Sequence, residues 1–298
     1  MDIATLLQQL VNAVSLGSMY ALIAIGYTMV YGILRLINFA HADIMMVGAF
    51  LCFFGLQLGL PFWLACVLAV ALCAVLGMAI DRIAYRPLRF APRISMLITA
   101  IGVSFLLENS FNVFFGSGAQ SFSAPAIFTH IFHFGDVHIS FGTIFIPILT
   151  LFLLTALLLL LYKTKQGIAI RAVAFDVRAV ALMGIDPNKI IALVFAIGSA
   201  LGAVGGICYA ISYPTIEPLM GVMVGLKAFA AAVLGGIGSI AGAVLGGLLL
   251  GFSEVFGIVL FPSLSGYQDA FAFLFLIAIL LVRPVGILGD IRLERSRF

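Results

Sequence analysis

The sequence predicts an all-α polytopic membrane protein of eight to nine transmembrane segments, with one broken or re-entrant glycine-rich segment and one helix held in the cytoplasm. Three observations predict it. Of 298 residues, 64% are hydrophobic and 9% charged, against roughly 25% charged in an ordinary soluble domain; the mean hydropathy is +1.26. Ile3–Leu34 and Ile44–Ile80 run for 32 and 37 residues without a charge, where about 20 apolar residues span a hydrocarbon core. The basic residues gather in a few short connections between apolar runs. No water-facing surface can be built from this composition, so a soluble enzyme and a nucleic-acid binder are excluded.

Cutting the chain at its charges, prolines and glycine clusters gives the elements in order. Clear passes fall at Leu6–Leu34, Ile44–Leu60, Phe62–Ile80, Ile94–Phe115, Ile139–Tyr162, Ile190–Tyr213, Ile240–Leu260 and Ala270–Val282. Met220–Leu234 is short, carries Lys227 and runs into Gly235, Gly236 and Gly238, which marks it as a broken or re-entrant helix or a ninth pass. The first basic residue is Arg35, so no basic region opens a cleavable signal peptide, and the first run is expected to remain as a transmembrane helix. Cys52, Cys66, Cys73 and Cys208 sit in apolar stretches without CxxC spacing, which predicts buried thiols, no disulfide and no metal.

Orientation follows from the basic residues. Arg82, Arg86, Arg89 and Arg93 fill one connection, Lys163, Lys165, Arg171, Arg178 and Lys189 another, and Arg283, Arg292, Arg295 and Arg297 the C-terminal region; all three are expected in the cytoplasm. Glu108 to Asp136 and Glu254 to Asp269 hold no Lys or Arg and are expected outside. Parity then sets the N-terminus outside if the first two helices both cross, the alternative being that the polar segment Arg35 to Asp43 lies within the bilayer. No Pro/Ser-rich linker divides the chain, so residues 1–298 read as one membrane domain, with 163–189 as its longest cytoplasmic connection.

Between Gly167 and Gly184 that connection consists of helix formers, which predicts one short helix. At a 3.6-residue repeat Ala169, Val173, Val177, Val180 and Gly184 share a face, and Arg171, Phe175, Arg178 and Leu182 share another. The first can lie on the membrane domain. The second offers two guanidinium groups and two apolar side chains to the cytosol, as either a solvated loop helix or a docking surface.

Asn38, His41 and Asp43 are polar groups at a membrane-helix boundary, where they are costly unless solvated or paired. They either satisfy backbone groups where the first helix breaks or line the substrate path. The same two readings hold for Glu108 and Asn109, the structural one being a helix cap at the outer surface. Gly198, Gly202 and Gly206 recur at i, i+4 and i+8 as a stripe for close helix packing, a device repeated by Gly242 with Gly246 and Gly247 with Gly251. Gly235, Gly236, Gly238 and Ser239 are four small residues in five, which leaves backbone groups free to face a cavity and assigns the cluster to a translocation path or gate. His41 and Asp43, at i and i+2, do not face one another on a helix, and no His-Glu-x-x-His occurs, so no metal site, no catalytic residue and no intramembrane hydrolase is expected.

The run Arg171-Ala-Val-Ala-Phe-Asp-Val-Arg-Ala-Val-Ala-Leu-Met-Gly-Ile185, the Ile-Gly-Ser-Ala-Leu-Gly at 197–202, Asn38-Phe-Ala-His41, and Lys227-Ala-Phe-Ala-Ala-Ala-Val-Leu-Gly-Gly-Ile-Gly-Ser239 together resemble the LivH-type permease subunits of ABC importers for branched-chain amino acids. The resemblance covers about Gly17 to Gly289, and the Ala-Val-Leu-Gly-Gly-Ile-Gly-Ser stretch is its most specific part. The chain departs from the family pattern at Ala42, where Gly is usual, and at Phe175, where an acidic or amide residue is usual. These departures bear on local helix bending and docking contacts.

The resemblance implies that the cytoplasmic helix is a coupling helix, with Arg171, Phe175, Asp176, Arg178, Leu182, Met183 and Gly184 entering a groove on an ATPase. It also implies two ATPase subunits, a second homologous permease, a periplasmic substrate-binding protein and a place in the bacterial inner membrane. The chain has no G-x-x-x-x-G-K-[ST] phosphate loop, so ATP is expected to be hydrolysed by partner subunits and no cofactor to be bound here. An ion-coupled secondary transporter is the rival class. It would need a carboxylate or cation site within the membrane, whereas the acidic residues mostly fall near predicted helix ends, Asp43 being the least clear.

Overall fold

The computed structural model describes residues 3–89, 91–135 and 137–289. Eight of its helical segments are long and apolar enough to cross a membrane, the last being Pro262–Val282, in which a 3-10 stretch at Pro262–Tyr267 runs into the final helix, and the fold is all-α and polytopic. In chain order the helices are α1 (Ile3–Leu34), α2 (Ala40–Gln57), α3 (Phe62–Ile80), α4 (Arg93–Phe115), a one-turn α5 (Ala126–Thr129), α6 (Phe141–Lys163), α7 (Lys165–Phe175), α8 (Val177–Leu182), α9 (Pro187–Ser212), α10 (Met220–Gly235), α11 (Ile240–Leu260) and α12 (Gln268–Val282). The expected passes agree with these bounds to within a few residues. Met220–Gly235 has 16 residues, about 24 Å of helix, and so falls short of a full pass.

Four short strands complete the described chain. β1 (Gln120–Ser121) pairs antiparallel with β4 (Thr215–Ile216), and β2 (Ile131–Phe134) with β3 (Val137–Ser140), the last pair forming a hairpin ahead of α6. Ser140 caps α6 by accepting from the Thr143 amide, which starts that helix two residues later than its apolar run. The first helix breaks at Arg35, a non-glycine residue at φ 52°, and the chain turns over five residues into α2. Past α3, the helix widens into a π turn at Asp81–Tyr85 and tightens to 3-10 at Arg86–Leu88, where Pro87 ends it. Arg89 then ties this end of α3 to the start of α9, donating to Asp81 and to Asn188, both at 2.6 Å. Of the C-terminal basic residues, Arg283 is described; Arg292, Arg295 and Arg297 lie outside the described residues.

The core is built on α1, whose segment from Gly17 to Val30 is buried throughout. Without a hydrophobic drive between helices in lipid, close approach must come from small side chains. The glycines supply it on two separate seams of α11. A Cβ on Gly247 would meet Ala21 and one on Gly251 would meet the backbone of Gly17, both on α1; Gly242 and Gly246 instead meet the backbone of Gly235 and Ala231 on α10. On α9, Gly198 lies against Gly26 of α1, Gly202 against the His41 ring, and Gly206 against the Met45 carbonyl of α2. Single backbone-width contacts of this kind hold α1, α2 and α9 together.

Residues 163–189 differ from the expected single helix. The chain is extended at Asp176 (φ −150°, ψ 106°), and its carboxylate caps α8 by accepting from the Arg178 and Ala179 amides at 2.8 and 3.1 Å. A 3.6-residue face cannot run through that break. Ala169, Val173 and Val180 are buried as expected, but Val177 is 40% exposed, because the break rotates α8 relative to α7.

Candidate translocation and docking sites

The turn from α1 to α2 sets Asn38, His41 and Asp43 inside the molecule, each at most 2% exposed. Each has a polar atom engaged locally, while Asn38 Nδ2 and Asp43 Oδ1 are buried without a partner. The Tyr85 hydroxyl donates to Asn38 Oδ1 at 2.7 Å. His41 Nε2 lies 3.2 Å from the Ile23 carbonyl, its ring edge-on to Tyr27 at 4.7 Å between centroids and wedged between Gly26 and Gly202. The Ser104 hydroxyl of α4 donates to Asp43 Oδ2. These three residues therefore join α1, α2, α3, α4 and α9, with their side chains turned into packing.

A small cleft opens beside them, lined by Tyr27, Thr28 and Tyr31 of α1, Ile37 of the turn, and Phe229 and Ala232 of α10 with Ile237 beyond it. Ile37 precedes Asn38, and Ile237 lies within the glycine cluster. The cleft is thus lined by chain neighbours of both candidate path groups and not by the candidate residues themselves. The backbone of that cluster is less free than its composition suggested. The Leu234 and Gly235 carbonyls accept from the Ile287 and Leu288 amides at 2.9 Å, the Gly236 carbonyl accepts from Ser239, and a Cβ on Gly236 would strike the backbone of Leu288 and Gly289. Ser239 is the N-cap of α11, accepting from Gly242 at 3.1 Å. Gly238, at φ 99°, alone of the four faces open space.

At the docking segment, Phe175 is 89% exposed and Leu182 90%, with Met183, Gly184, Asp176 and Arg178 also exposed. Arg171 is exposed too, its guanidinium 5.0 Å above the centre of the Tyr162 ring, so that it is held against α6 while Phe175 stands clear.

The acidic residues depart from expectation. Glu108 lies inside α4, seven residues before Phe115, and is buried, against the reading of it as a surface cap. Glu254 lies inside α11, buried, with Tyr20 donating to its Oε2 at 3.0 Å and Lys227 Nζ 3.1 Å from its Oε1. Lys227 also pairs with Asp269 of α12 at 2.6 Å and donates to Tyr20 at 3.3 Å. This cluster joins α1, α10, α11 and α12. Sequence reasoning flagged Lys227 as an obstacle to a full pass and as the start of a family stretch; nothing local announces its acidic partners, which are 27 and 42 residues away in the chain.

Fold and sites together define a polytopic membrane protein with an exposed amphipathic projection and no nucleotide-binding loop. Residues 9–280 match the family described as "Branched-chain amino acid transport system / permease component", and the chain belongs to that family. It is a transport permease component and not an enzyme. It is 43% identical to the high-affinity branched-chain amino acid transport system permease protein BraD of Pseudomonas aeruginosa, over 97% of both chains. Identity to the LivH permease protein of Escherichia coli K12 is 41%, also over 97% of both, and to the probable LivH of Methanocaldococcus jannaschii 30%, over 93% of this chain and 91% of that one. A solved structure described as PsaBC from Streptococcus pneumoniae in complex with Fab aligns at a TM-score of 0.45 and 15% identity, covering 93% of this chain and 90% of that chain.

Proposed function

We propose that this chain is the transmembrane permease subunit of an ATP-driven importer of branched-chain amino acids. The observation that carries the reading is family membership over nearly the whole chain joined to an apolar, arginine-flanked projection at 163–189 that a lone membrane protein would gain nothing by exposing. In this reading the chain is one membrane unit in the bacterial inner membrane with its C-terminus in the cytoplasm. A periplasmic binding protein delivers the amino acid, which passes between this subunit and a second homologous permease. Two ATPase subunits grip the coupling segment of each permease, with Phe175, Leu182 and Met183 as apolar anchors, Arg171 and Arg178 as charged flanks, and Asp176 and Gly184 shaping the turns. The cleft at Tyr27, Ile37 and Ile237 supplies the path or its inner gate, with Asn38, His41 and Asp43 behind it and Gly235, Gly236, Gly238 and Ser239 at its rim. Gly198, Gly202 and Gly206 hold the packed body beside it. Family membership sets this reading above cation-driven transport; of the carboxylates within the span, Glu254 has Lys227 as its counter-ion, whereas Asp43 and Glu108 have no cation partner among the described residues.

The test is a pull-down of the Phe175→Ala/Arg178→Glu variant with its ATPase. Interface anchors of these types contribute about 2 kcal/mol or more each, so the variant should reach the membrane at normal abundance and lose the ATPase band. Val173, 1% exposed on the opposite side, gives the contrast: Val173→Asp should lower the abundance of the permease itself. Retention of the ATPase by the double variant, with normal transport, would overturn the docking assignment.

A further inference from the structure

Asp43 of α2 and Glu108 of α4 are 1% and 8% exposed. Glu108 stands one turn beyond Ser104 on the same face of α4, and a helical side chain leans back toward the preceding turn, here the turn at which Ser104 meets Asp43. Ser104, one turn before Glu108, donates to Asp43 Oδ2, while Asp43 Oδ1 has no donor. On its other side Oδ1 faces Gly221 of α10, which brings no side chain to it. Ser104 is the middle residue of α4, about 16 Å from either end, so the contact lies deep within the span.

Two carboxylates are both acceptors, and a contact between them is attractive only with a positive charge in it. Among the described residues neither has a Lys, Arg or His within ion-pair distance. In a low-dielectric interior two adjacent bare carboxylates cannot both stay charged. The other groups packed around α2 are engaged elsewhere or carry no charge. His41 faces the Ile23 carbonyl, the Cys73 thiol of α3 the Ile44 carbonyl, Lys227 of α10 the Glu254 cluster, and α9 presents Gly206. Tyr27 of α1, buried beside the His41 ring, is a phenol and brings no positive charge.

We infer that Asp43 and Glu108 share one proton and form a proton-binding site deep within the membrane domain that fastens α4 to α2. α4 has few other fastenings, since only 17% of its most apolar window is buried. The inference needs only that the chain spans the bilayer, and stands whichever solute the protein carries.

The experiment is infrared spectroscopy of the assembled complex in lipid nanodiscs at neutral pH, in H2O and D2O. Wild type should show a protonated-carboxyl stretch, shifted in D2O, of one group per chain. It should be lost in Glu108→Gln, whose amide donates to Asp43 in place of the proton. Raising the pH removes the proton and sets two charges face to face, so the melting temperature of wild type should fall toward alkaline pH, and that dependence should vanish in Glu108→Gln. Absence of the wild-type band, or its persistence undiminished in Glu108→Gln, would overturn the inference. So would a rise in wild-type melting temperature with sodium that displaces the band, which would make this a sodium site. The band, its titration and the sodium response are all read on wild type, so failure of the variant to fold leaves the test intact.

Discussion

Lys227 shows at single-residue scale what a membrane interior demands of a charge. It is 8% exposed at its side chain and holds Glu254 and Asp269 from two other helices while donating to Tyr20. Removing one partner of a buried pair typically costs about 3–5 kcal/mol, because the other charge is left uncompensated. Lys227→Met should therefore lower the melting temperature of the detergent-solubilised protein sharply, and Lys227→Met/Glu254→Gln should recover a large part of the loss. Equal melting temperatures for the single and double variants would show that the two charges do not depend on each other. His41 gives the complementary lesson. The sequence left it between a structural and a path role, and the structure fills its ring environment with Gly26, Gly202, Tyr27 and the Ile23 carbonyl. A residue type at a boundary is visible in sequence; which partner reaches it from 160 residues away is not.

At the scale of elements, the glycine periodicities were legible because i, i+4 spacing has one geometric meaning on a helix. Their partners were not legible, and Gly242 with Gly246 turns out to face a different helix from Gly247 with Gly251. Gly206 is the tightest of the α9 stripe, its missing side chain standing against the Met45 carbonyl. Gly206→Leu must push α9 from α2, and overpacking of this kind costs roughly 1–3 kcal/mol or more. Folded yield and melting temperature should both fall, and by more than for Gly202→Leu, whose neighbour is a side-chain ring rather than backbone. A Gly206→Leu variant as stable as wild type would mean that α2 and α9 are not packed at backbone distance. The docking segment shows where periodicity misleads. Asp176 is a better N-cap than a helix-interior residue, and the extended backbone it stabilises splits one expected helix into α7 and α8 and brings Val177 out.

For the molecule as a whole, hydropathy and length set the number of spans and most of their bounds, because lipid allows the backbone few options other than helix. The pairing of the glycine-rich turn with residues 287 and 288, the cleft between Ile37 and Ile237, and the buried Glu254 cluster came from contacts between distant segments and left no local trace. The central claim is that the chain forms a path across the membrane and takes its energy from an ATPase docked at 163–189. Uptake of radiolabelled leucine into proteoliposomes tests it most directly, comparing the purified chain alone, under imposed proton and sodium gradients, with the complex of permeases, ATPases and binding protein supplied with ATP. The account predicts accumulation only with the complete complex and ATP, and its loss in the Phe175→Ala/Arg178→Glu variant. Accumulation by the chain alone, driven by either gradient, would contradict it.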